Sequence, residues 1–364
     1  MIHYTKNPLI DETIPENIQP LIDEDIKQFI IIKDGHIIGK SVEQIAGVYV
    51  ESFDEALSQK KTLLEQLEEA HHNPTDAYQY VKDNATSGVV VHVTKNTVVK
   101  DPLHVFIVQE EHDLVHNSIV ICDDNSQLDY IEYFTNNVPG SNNIITQSFV
   151  GENAKLNYTT VNQFDQKSVL NIIRNGRVKR YGELVFNNAE VSDALSEITT
   201  NVQLVEPYAK SYVKTVAITN QHQEARFEQL VEHLAPHTEG YIENYGVSSD
   251  TSALVFEGIG KIHKQMKQSV ARQQNRGIVL SRKARLDANP LLLIDEYDVV
   301  ASHGAAIGKI DEEQLYYLMS RGLSKRNAER LIINGFLSPI LDALDSDALK
   351  SVFVSSVERK TQDL

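Results

Sequence analysis

The chain has 364 residues, of which 41% are hydrophobic and 23% charged, a composition typical of a soluble globular protein with two or three structural units. Its net charge of −17 argues against non-specific binding to nucleic acid, because most of the surface would repel a phosphate backbone, and no apolar run approaches the roughly 18 residues of a membrane span. The single cysteine, Cys122, excludes an intrachain disulfide and a four-cysteine metal cluster within one chain.

The first 84 residues are predicted to form a small α/β cap. Residues 1–15 carry charges and lack the apolar segment of a signal peptide, so we expect a cytoplasmic protein. The Asp34-Gly35 pair between two apolar runs predicts a hairpin. A helix is predicted from about Ser52 to Glu69, because Ser52 and Glu55 form a capping box ahead of an apolar stripe at helical spacing.

From about Ser87 onward the apolar residues alternate with a period of two, which predicts successive strands without helices between them. Leu128, Leu156 and Leu184 lie 28 residues apart, and each precedes an aromatic residue by two positions. Weaker echoes of the same pattern occur at 206–213, 250–255 and 281–286. A repeat of this length predicts the stacked coils of a parallel β-solenoid.

A propeller or a β-sandwich is the main competitor of the solenoid. Propeller repeats are longer than 28 residues, and a sandwich requires frequent hairpin turns. Between Ser118 and Ala301 only Asn175-Gly176 carries the sequence signal of such a turn, so the pattern favours the solenoid.

The strand-like run of residues 299–308 leads into a capped helix, and it contains a lone histidine, His303. Small neighbours, including Ala301, Ser302 and Gly304, leave the imidazole uncrowded. His303 is therefore either presented at a surface or placed at the end of a core, and spacing alone leaves both readings open.

The C-terminal residues 309–364 are predicted to form a helical domain. Asp311 is the expected N-cap of a first helix that ends at Arg321-Gly322, and Gln314 is its reciprocal capping partner. A second helix is predicted from Ser324 to Asn334 with Gly335 as its end, followed by a short helix opened by Ser338-Pro339 and a last one over 345–358. Their apolar residues dock either on the end of the solenoid or on another protein.

The sequence lacks the common enzymatic motifs. Residues 258–261 do not have the spacing of a phosphate-binding loop, and there is no zinc-protease motif or nucleophile elbow. Cys122 lies in an apolar strand run and is expected to be inert. His233 and His237 are close in sequence, but Pro236 argues against a shared helical face, so a structural role is favoured for both.

Five segments, at 231–237, 256–262, 274–281, 301–308 and 311–322, resemble in order and spacing the SufB/SufD family of iron–sulfur cluster assembly scaffolds. The resemblance covers about residues 85 to 340. It implies a mainly β fold in which a right-handed parallel β-helix over 85–308 lies between the N-terminal α/β cap of residues 1–84 and the helical domain. The Ser-His-Gly form at 302–304 is the one expected of one branch of this family.

The resemblance also implies a function. The chain is expected to be a non-catalytic scaffold that pairs through its β-helix with the cysteine-bearing sister subunit SufB and docks the ATPase SufC through its C-terminal helices. The metal-site histidine of the family falls on His303, which implies transient contact with iron or an iron–sulfur cluster and no stably bound cofactor. Ala301 stands where some relatives carry a cysteine, so a thiolate at that position is excluded.

The residues expected at the partner surface lie on the helical domain: Asp311, Glu312, Gln314, Leu315, Leu318, Met319, Arg321, Gly322 and Phe336. Neither nucleic acid nor a membrane is expected as a partner. Two alternatives remain open: a homodimeric iron-handling protein, and a polysaccharide-acting β-helix enzyme, which would need clustered Asp, Arg or Lys side chains on one ladder.

Overall fold

The computed structural model describes residues 5–6, 14–22, 26–41, 47–52, 56, 76–111, 113–165 and 167–362. The helix predicted over Ser52 to Glu69 lies mostly outside these residues. Within them, Ser52 is the last residue of a strand and Ala56 is helical.

The described residues form two large sheets, whose strands we number in chain order. The strands are β1 (Thr5–Lys6), β2 (Gln28–Lys33), β3 (His36–Ser41), β4 (Val48–Ser52), β5 (Ser87–Val93), β6 (Leu103–Gln109), β7 (Leu114–Cys122), β8 (Gln127–Asn136), β9 (Ser141–Val150), β10 (Lys155–Gln163), β11 (Val169–Val178), β12 (Glu183–Glu190), β13 (Leu195–Leu204), β14 (Lys210–Thr219), β15 (Glu224–His233), β16 (Glu239–Ser248), β17 (Ala253–Ile262), β18 (Val270–Val279), β19 (Arg285–Ile294) and β20 (Val300–Gly308).

The helices of the described residues lie before and after these strands. They are α1 (Asp76–Asn84), α2 (Glu312–Ser320), α3 (Lys325–Leu337) and α4 (Asp347–Lys360), with short 3-10 helices at Gln19–Leu21 and Ser338–Ala343.

From β5 to β20 successive strands alternate between the two sheets, and each strand pairs in parallel with the strand two places away in sequence. This topology is a parallel β-solenoid, as predicted. Leu128, Leu156 and Leu184 stack in register on β8, β10 and β12. The aromatic residues two positions later also stack: the rings of Tyr130 and Tyr158 are 4.7 Å apart. The echoes around 250–255 and 281–286 belong to the other sheet, where Leu254 pairs with Leu286.

The N-terminal strands extend the same two sheets. The predicted hairpin at Asp34-Gly35 joins the antiparallel strands β2 and β3, and both turn residues have positive φ angles, 43° and 90°. β2 pairs in parallel with β6, and β4 pairs antiparallel with β5. The solenoid is therefore covered at its N-terminal end by strands of its own chain.

The helices α3 and α4 pack on the outer face of the solenoid. Ile333 and Leu337 of α3 and Phe353 of α4 are buried in one cluster with strand residues such as Val216 and Val247. The prediction that Gly335 ends the second helix was wrong, because α3 continues to Leu337. The burial of Leu337 outweighs the roughly 1 kcal/mol that a helical glycine costs. The segment opened by Ser338-Pro339 is a 3-10 helix.

The C-terminal end of α4 is held by a buried ammonium group. The Lys360 side chain is 0% exposed, and its Nζ lies 2.8 Å from the Asp193 carboxylate. It also donates hydrogen bonds to the Ser192 carbonyl (2.7 Å) and to Oε1 of Gln223 (2.9 Å). Three acceptors thus match the three N–H donors of the ammonium, so this lysine fixes the helix to the solenoid.

Substituting Lys360→Met should loosen α4, because it leaves the half-buried Asp193 carboxylate and two other acceptors without a donor. A loss of about 3 kcal/mol is expected from breaking a pair of this kind. Amide hydrogen exchange in α4 should then accelerate on the order of 100-fold if the helix opens locally.

The matched control is the neighbouring substitution Arg359→Met. Arg359 also pairs with Asp193, at 2.5 Å, but its side chain is 45% exposed, so its ion pair should be worth less than about 1 kcal/mol. Equal acceleration of exchange in the two variants would contradict the anchoring role of Lys360.

Candidate functional site

The C-terminal end of the solenoid is open. β19 and β20 are the last strands of their sheets, and within the described part of the chain neither is paired along its outer edge. Every residue of β20 except Ala301 is exposed, and β19 is largely exposed after its second residue. The exposed large apolar side chains of this end are those of Leu291, Leu293, Val300 and Ile307.

His303 lies on this open end, on the face of β20 that continues the solenoid interior. It pairs in register with Gln273 of β18, which is buried in the interior. Side chains of paired residues in a parallel sheet point to the same face, so His303 takes the next interior position. It is exposed because no further coil covers it. The described residues give its side chain no hydrogen bond.

The solenoid interior behind His303 contains a ladder of polar side chains. Successive strands of the longer sheet place Glu132, Thr160, Asn188, Thr215, Asn244 and Asn275 in register. Residues of the facing sheet meet this ladder: Nε2 of Gln229 donates to Oγ1 of Thr215 (2.7 Å), and the side-chain amides of Gln229 and Asn244 exchange two hydrogen bonds of 2.9 and 2.8 Å. The polar ladder ends at Asn275, one coil before β20.

The other end of the polar ladder carries three buried charged groups, Glu132, Arg174 and Glu190. Burial raises the pKa of both carboxyls and lowers the pKa of the Arg174 guanidinium. Glu132 accepts hydrogen bonds from the hydroxyls of Ser118 (2.5 Å) and Tyr130 (2.8 Å), and Nη2 of Arg174 donates to Thr160. Sequence reasoning missed this cluster, although Glu132, Thr160 and Asn188 repeat at the same 28-residue spacing as the leucines.

The structure provides few soft ligands besides His303. Cys122 is buried, and burial raises its thiol pKa to about 12, so a thiolate is not accessible there at neutral pH. No cluster of three or more metal-ligating side chains occurs among the residues that the structure describes. Iron bound at His303 would therefore need further ligands from another molecule.

His233 and His237 have structural contacts and do not share a face. Nδ1 of His233 is 2.7 Å from the Thr238 hydroxyl inside the solenoid. Burial lowers the pKa of His233 to about 4. The His237 ring stacks on Tyr208 at the surface, with ring centroids 4.9 Å apart.

A second exposed surface lies on α2 and the outer side of α3. Asp311 caps α2 as predicted, accepting a hydrogen bond from the Gln314 backbone N–H at 2.9 Å, and Gly322 follows the helix with a φ of 97°. No side chain of α2 is buried. Of the predicted partner residues, Leu315 and Leu318 are half-buried, whereas Glu312, Met319 and Arg321 are exposed.

Phe336 is placed differently from the other predicted partner residues. Its ring packs edge-on against Tyr245 of the solenoid at 5.8 Å and is half-buried. The sequence-based list also omitted three exposed residues of this surface, Tyr316, Tyr317 and Leu331. We call Tyr316, Tyr317, Met319 and Leu331 the tail patch.

Comparison with known proteins identifies the family. Residues 105–336 match the model of the SufBD core domain of the SUF system for iron–sulfur cluster assembly. The chain belongs to the SufBD family of iron–sulfur cluster assembly proteins. The match begins within β6 and ends within α3, so it includes the solenoid, His303 and the tail patch.

Individual SufBD proteins support this assignment. The chain is 36% identical to the iron–sulfur cluster assembly protein SufD of Bacillus subtilis over 283 residues, which are 76% of this chain and 64% of the relative. It is 26% identical to a SufBD family protein of Pyrococcus horikoshii, covering 94% of this chain and 82% of that one. A SufBD family protein of Synechocystis is 27% identical, with coverage of 82% and 70%. The similarity to SufD agrees with the branch predicted from Ser302-His303-Gly304.

The described helices include none that is long and apolar enough to cross a membrane.

Acidification should destabilise this SufBD protein through His233. Its folded pKa of about 4 lies below the ordinary value of 6.5, so between these values the unfolded chain binds a proton that the folded chain excludes. Stability is therefore lost as the pH falls from 6.5 toward 4, by roughly 2 kcal/mol between pH 7 and 5. His233→Gln should remove that part of the loss in urea unfolding experiments at the two pH values.

His237→Asn is the control for this measurement, since the His237 ring lies at the surface and asparagine tolerates its positive φ of 60°. This variant should keep the wild-type dependence of stability on pH. If His233→Gln keeps it as well, the neutral buried imidazole is not a source of acid sensitivity.

Proposed function

We propose that this chain is a non-catalytic scaffold subunit that builds iron–sulfur clusters together with a cysteine-bearing SufB-like subunit. The observation that carries the proposal is the open end of the solenoid, where two sheets stop at unpaired edges beside His303. The C-terminal helices dock a SufC-like ATPase, and the iron–sulfur cluster is the cargo assembled at the junction of the two scaffold subunits.

The open end has the properties of an interface. β20 is nine residues long and carries small uncharged side chains apart from His303 and Ile307, which gives an edge that another strand can approach closely. Exposed edges of this kind template pairing with further strands, and stable proteins cover them. A second SufBD solenoid would continue both sheets and bury Leu291, Leu293 and Ile307.

At such a junction His303 would contribute one ligand. A neutral imidazole is a good iron ligand, and thiolates are the usual ligands of iron–sulfur clusters. Ala301 and the buried Cys122 give this chain no accessible thiolate within its described residues. The sister subunit would have to supply the sulfur ligands, which makes cluster formation depend on the assembled complex.

Substituting His303→Ala should abolish cluster accumulation in the reconstituted complex without dissociating it, because the side chain is removed from an exposed position and no strand contact is lost. The cluster is measured by its visible absorbance, and the assembly is measured by size-exclusion chromatography. An unchanged cluster yield would remove the ligand role.

Ile307→Lys is the paired variant, since Ile307 lies four residues further along the same face of β20. A charge there should dissociate the two scaffold subunits, whereas Val98→Lys, at an exposed valine elsewhere on the chain, should not. Dissociation of a pure homodimer by Ile307→Lys, with no heterocomplex formed by the wild type, would instead favour the homodimeric iron-handling alternative.

The tail patch suits a motor partner because α3 joins it to the solenoid. Leu331 of α3 is exposed on one side of the helix, while Ile333 and Leu337 are buried against the strands on the other. Tyr316 of α2 is 76% exposed. Aromatic and apolar side chains of this type form the centres of protein interfaces. Movement imposed on the tail patch would be transmitted through the packed face of α3 to the solenoid.

Replacing two tail-patch residues, Tyr316→Ser with Leu331→Ser, should abolish co-purification of the ATPase while SufB-like pairing persists. Each lost apolar contact is expected to cost about 1–2 kcal/mol of binding free energy, so the affinity should fall at least tenfold. Tyr80→Ser is the control, because Tyr80 is an exposed tyrosine on a different helix, α1. ATPase binding that survives the double substitution would place the docking surface elsewhere.

A further inference from the structure

Gln273 occupies the interior position directly next to His303. The two residues are register partners on adjacent parallel strands, which lie about 4.8 Å apart. On the other side of Gln273 the register partner is Ile242, an apolar residue. The last polar side chain in this row before the open end therefore belongs to Gln273, and the next residue in the row is the histidine.

The orientation of the Gln273 amide is fixed by the facing sheet. Its Nε2 donates a hydrogen bond of 2.8 Å to the backbone carbonyl of Leu291 on β19. Because a carbonyl accepts only from the NH₂ side of an amide, Oε1 must point the other way. Oε1 is buried and has no hydrogen-bond partner among the described residues. An unmatched buried acceptor of this kind costs free energy unless another group supplies a donor.

The facing sheet also provides the space that this orientation needs. A Cβ atom at Gly258 would lie 2.7 Å from Oε1 of Gln273, closer than side chains pack. Gly258 and Ile242 are otherwise unable to donate a side-chain hydrogen bond to the amide oxygen. The glycine therefore allows the amide to reach across to β19 and hold its oxygen in the row that His303 continues.

We infer that Gln273 is a positioning residue for His303: its Oε1 accepts a hydrogen bond from one ring N–H, which leaves the other ring nitrogen unprotonated and directed out of the open end. Histidine ligands are commonly oriented in this way, because the hydrogen bond at one nitrogen selects the tautomer and the ring direction at the other. The inference rests on the proposed ligand role of His303 and adds the group that prepares it.

The tautomer of His303 is the direct test. Nitrogen-15 NMR of the imidazole, recorded at pH 8 on the full-length chain with labelled histidine, distinguishes a protonated from an unprotonated ring nitrogen. The signal of His303 is identified by its loss in His303→Asn. One tautomer should dominate in the wild type. Gln273→Met, which keeps the length but removes the acceptor, should bring both tautomers to comparable populations.

Two further variants separate positioning from a merely structural role. Gly258→Ala should shift the tautomer ratio in the same direction, because the added methyl displaces Oε1 while leaving Gln273 present. Gln273→Glu keeps an acceptor at the same place and should retain the wild-type tautomer. Asn275→Leu is the control: it removes a buried amide from the same strand, but its register partner is Ala305. It should leave the ratio unchanged.

The outcomes also separate this inference from the proposed function. A tautomer ratio that is the same in the wild type and Gln273→Met overturns the positioning role, whatever the cluster yield. A shifted ratio together with an unaffected cluster yield in the reconstituted Gln273→Met complex overturns the ligand role of His303 and retains the hydrogen bond. Positioning of a ligand requires both a shifted ratio and slower cluster formation at an unchanged level of subunit pairing.

Discussion

In a parallel solenoid each coil is completed only by the next one, and this constraint determines where the protein can act. A strand such as β18 has its backbone groups satisfied by β16 on one side and β20 on the other. The same stacking buries its inward side chains. The chain covers the first coils with β2 and β4, but the described residues provide no equivalent beyond β19 and β20. The open end is thus a consequence of the architecture, and a partner is the direct way to complete it.

The interior of the solenoid differs from an ordinary apolar core. Its first coils stack aromatic and aliphatic side chains such as Tyr130 and Tyr158, but the polar ladder from Glu132 to Asn275 lies beside them. Buried polar groups stabilise a fold only when they are matched, and each mismatched register would leave several of them without partners. The polar ladder therefore penalises slipped coils, which an all-aliphatic interior would tolerate more readily.

The sequence predicted the part of the fold that repeats regularly. Leu128, Leu156 and Leu184 are evenly spaced because the coils there have equal length, and the strand period and the turn at Asp34-Gly35 are local signals. Later coils are not equal: Asn188, Thr215, Asn244 and Asn275 are register partners at spacings of 27, 29 and 31 residues. The phase of the repeat is lost by β20, so the inward position of His303 could not be counted from the leucines.

The end of α3 shows a different limit of local reasoning. Gly335 is a good signal for a helix end in isolation, but the decision there depends on Leu337, which is buried only because the solenoid surface lies opposite it. The neighbouring Phe336 contacts Tyr245 for the same reason. Spacing could identify an apolar tail but could not divide it between an attached face and a free one, since that division depends on the docked geometry.

The chemistry of the open end follows from what the chain withholds as much as from what it offers. A complete set of ligands within one chain would bind iron whether or not a partner were present. Here the described residues place one imidazole at the open end, and the one thiol is buried near the other end of the solenoid. A cluster can then be held only while both scaffold subunits are joined, so any movement that separates them also weakens its coordination. The tail patch, fixed to the same solenoid through α3, is positioned to apply such a movement, which would connect ATPase docking with release of the cluster.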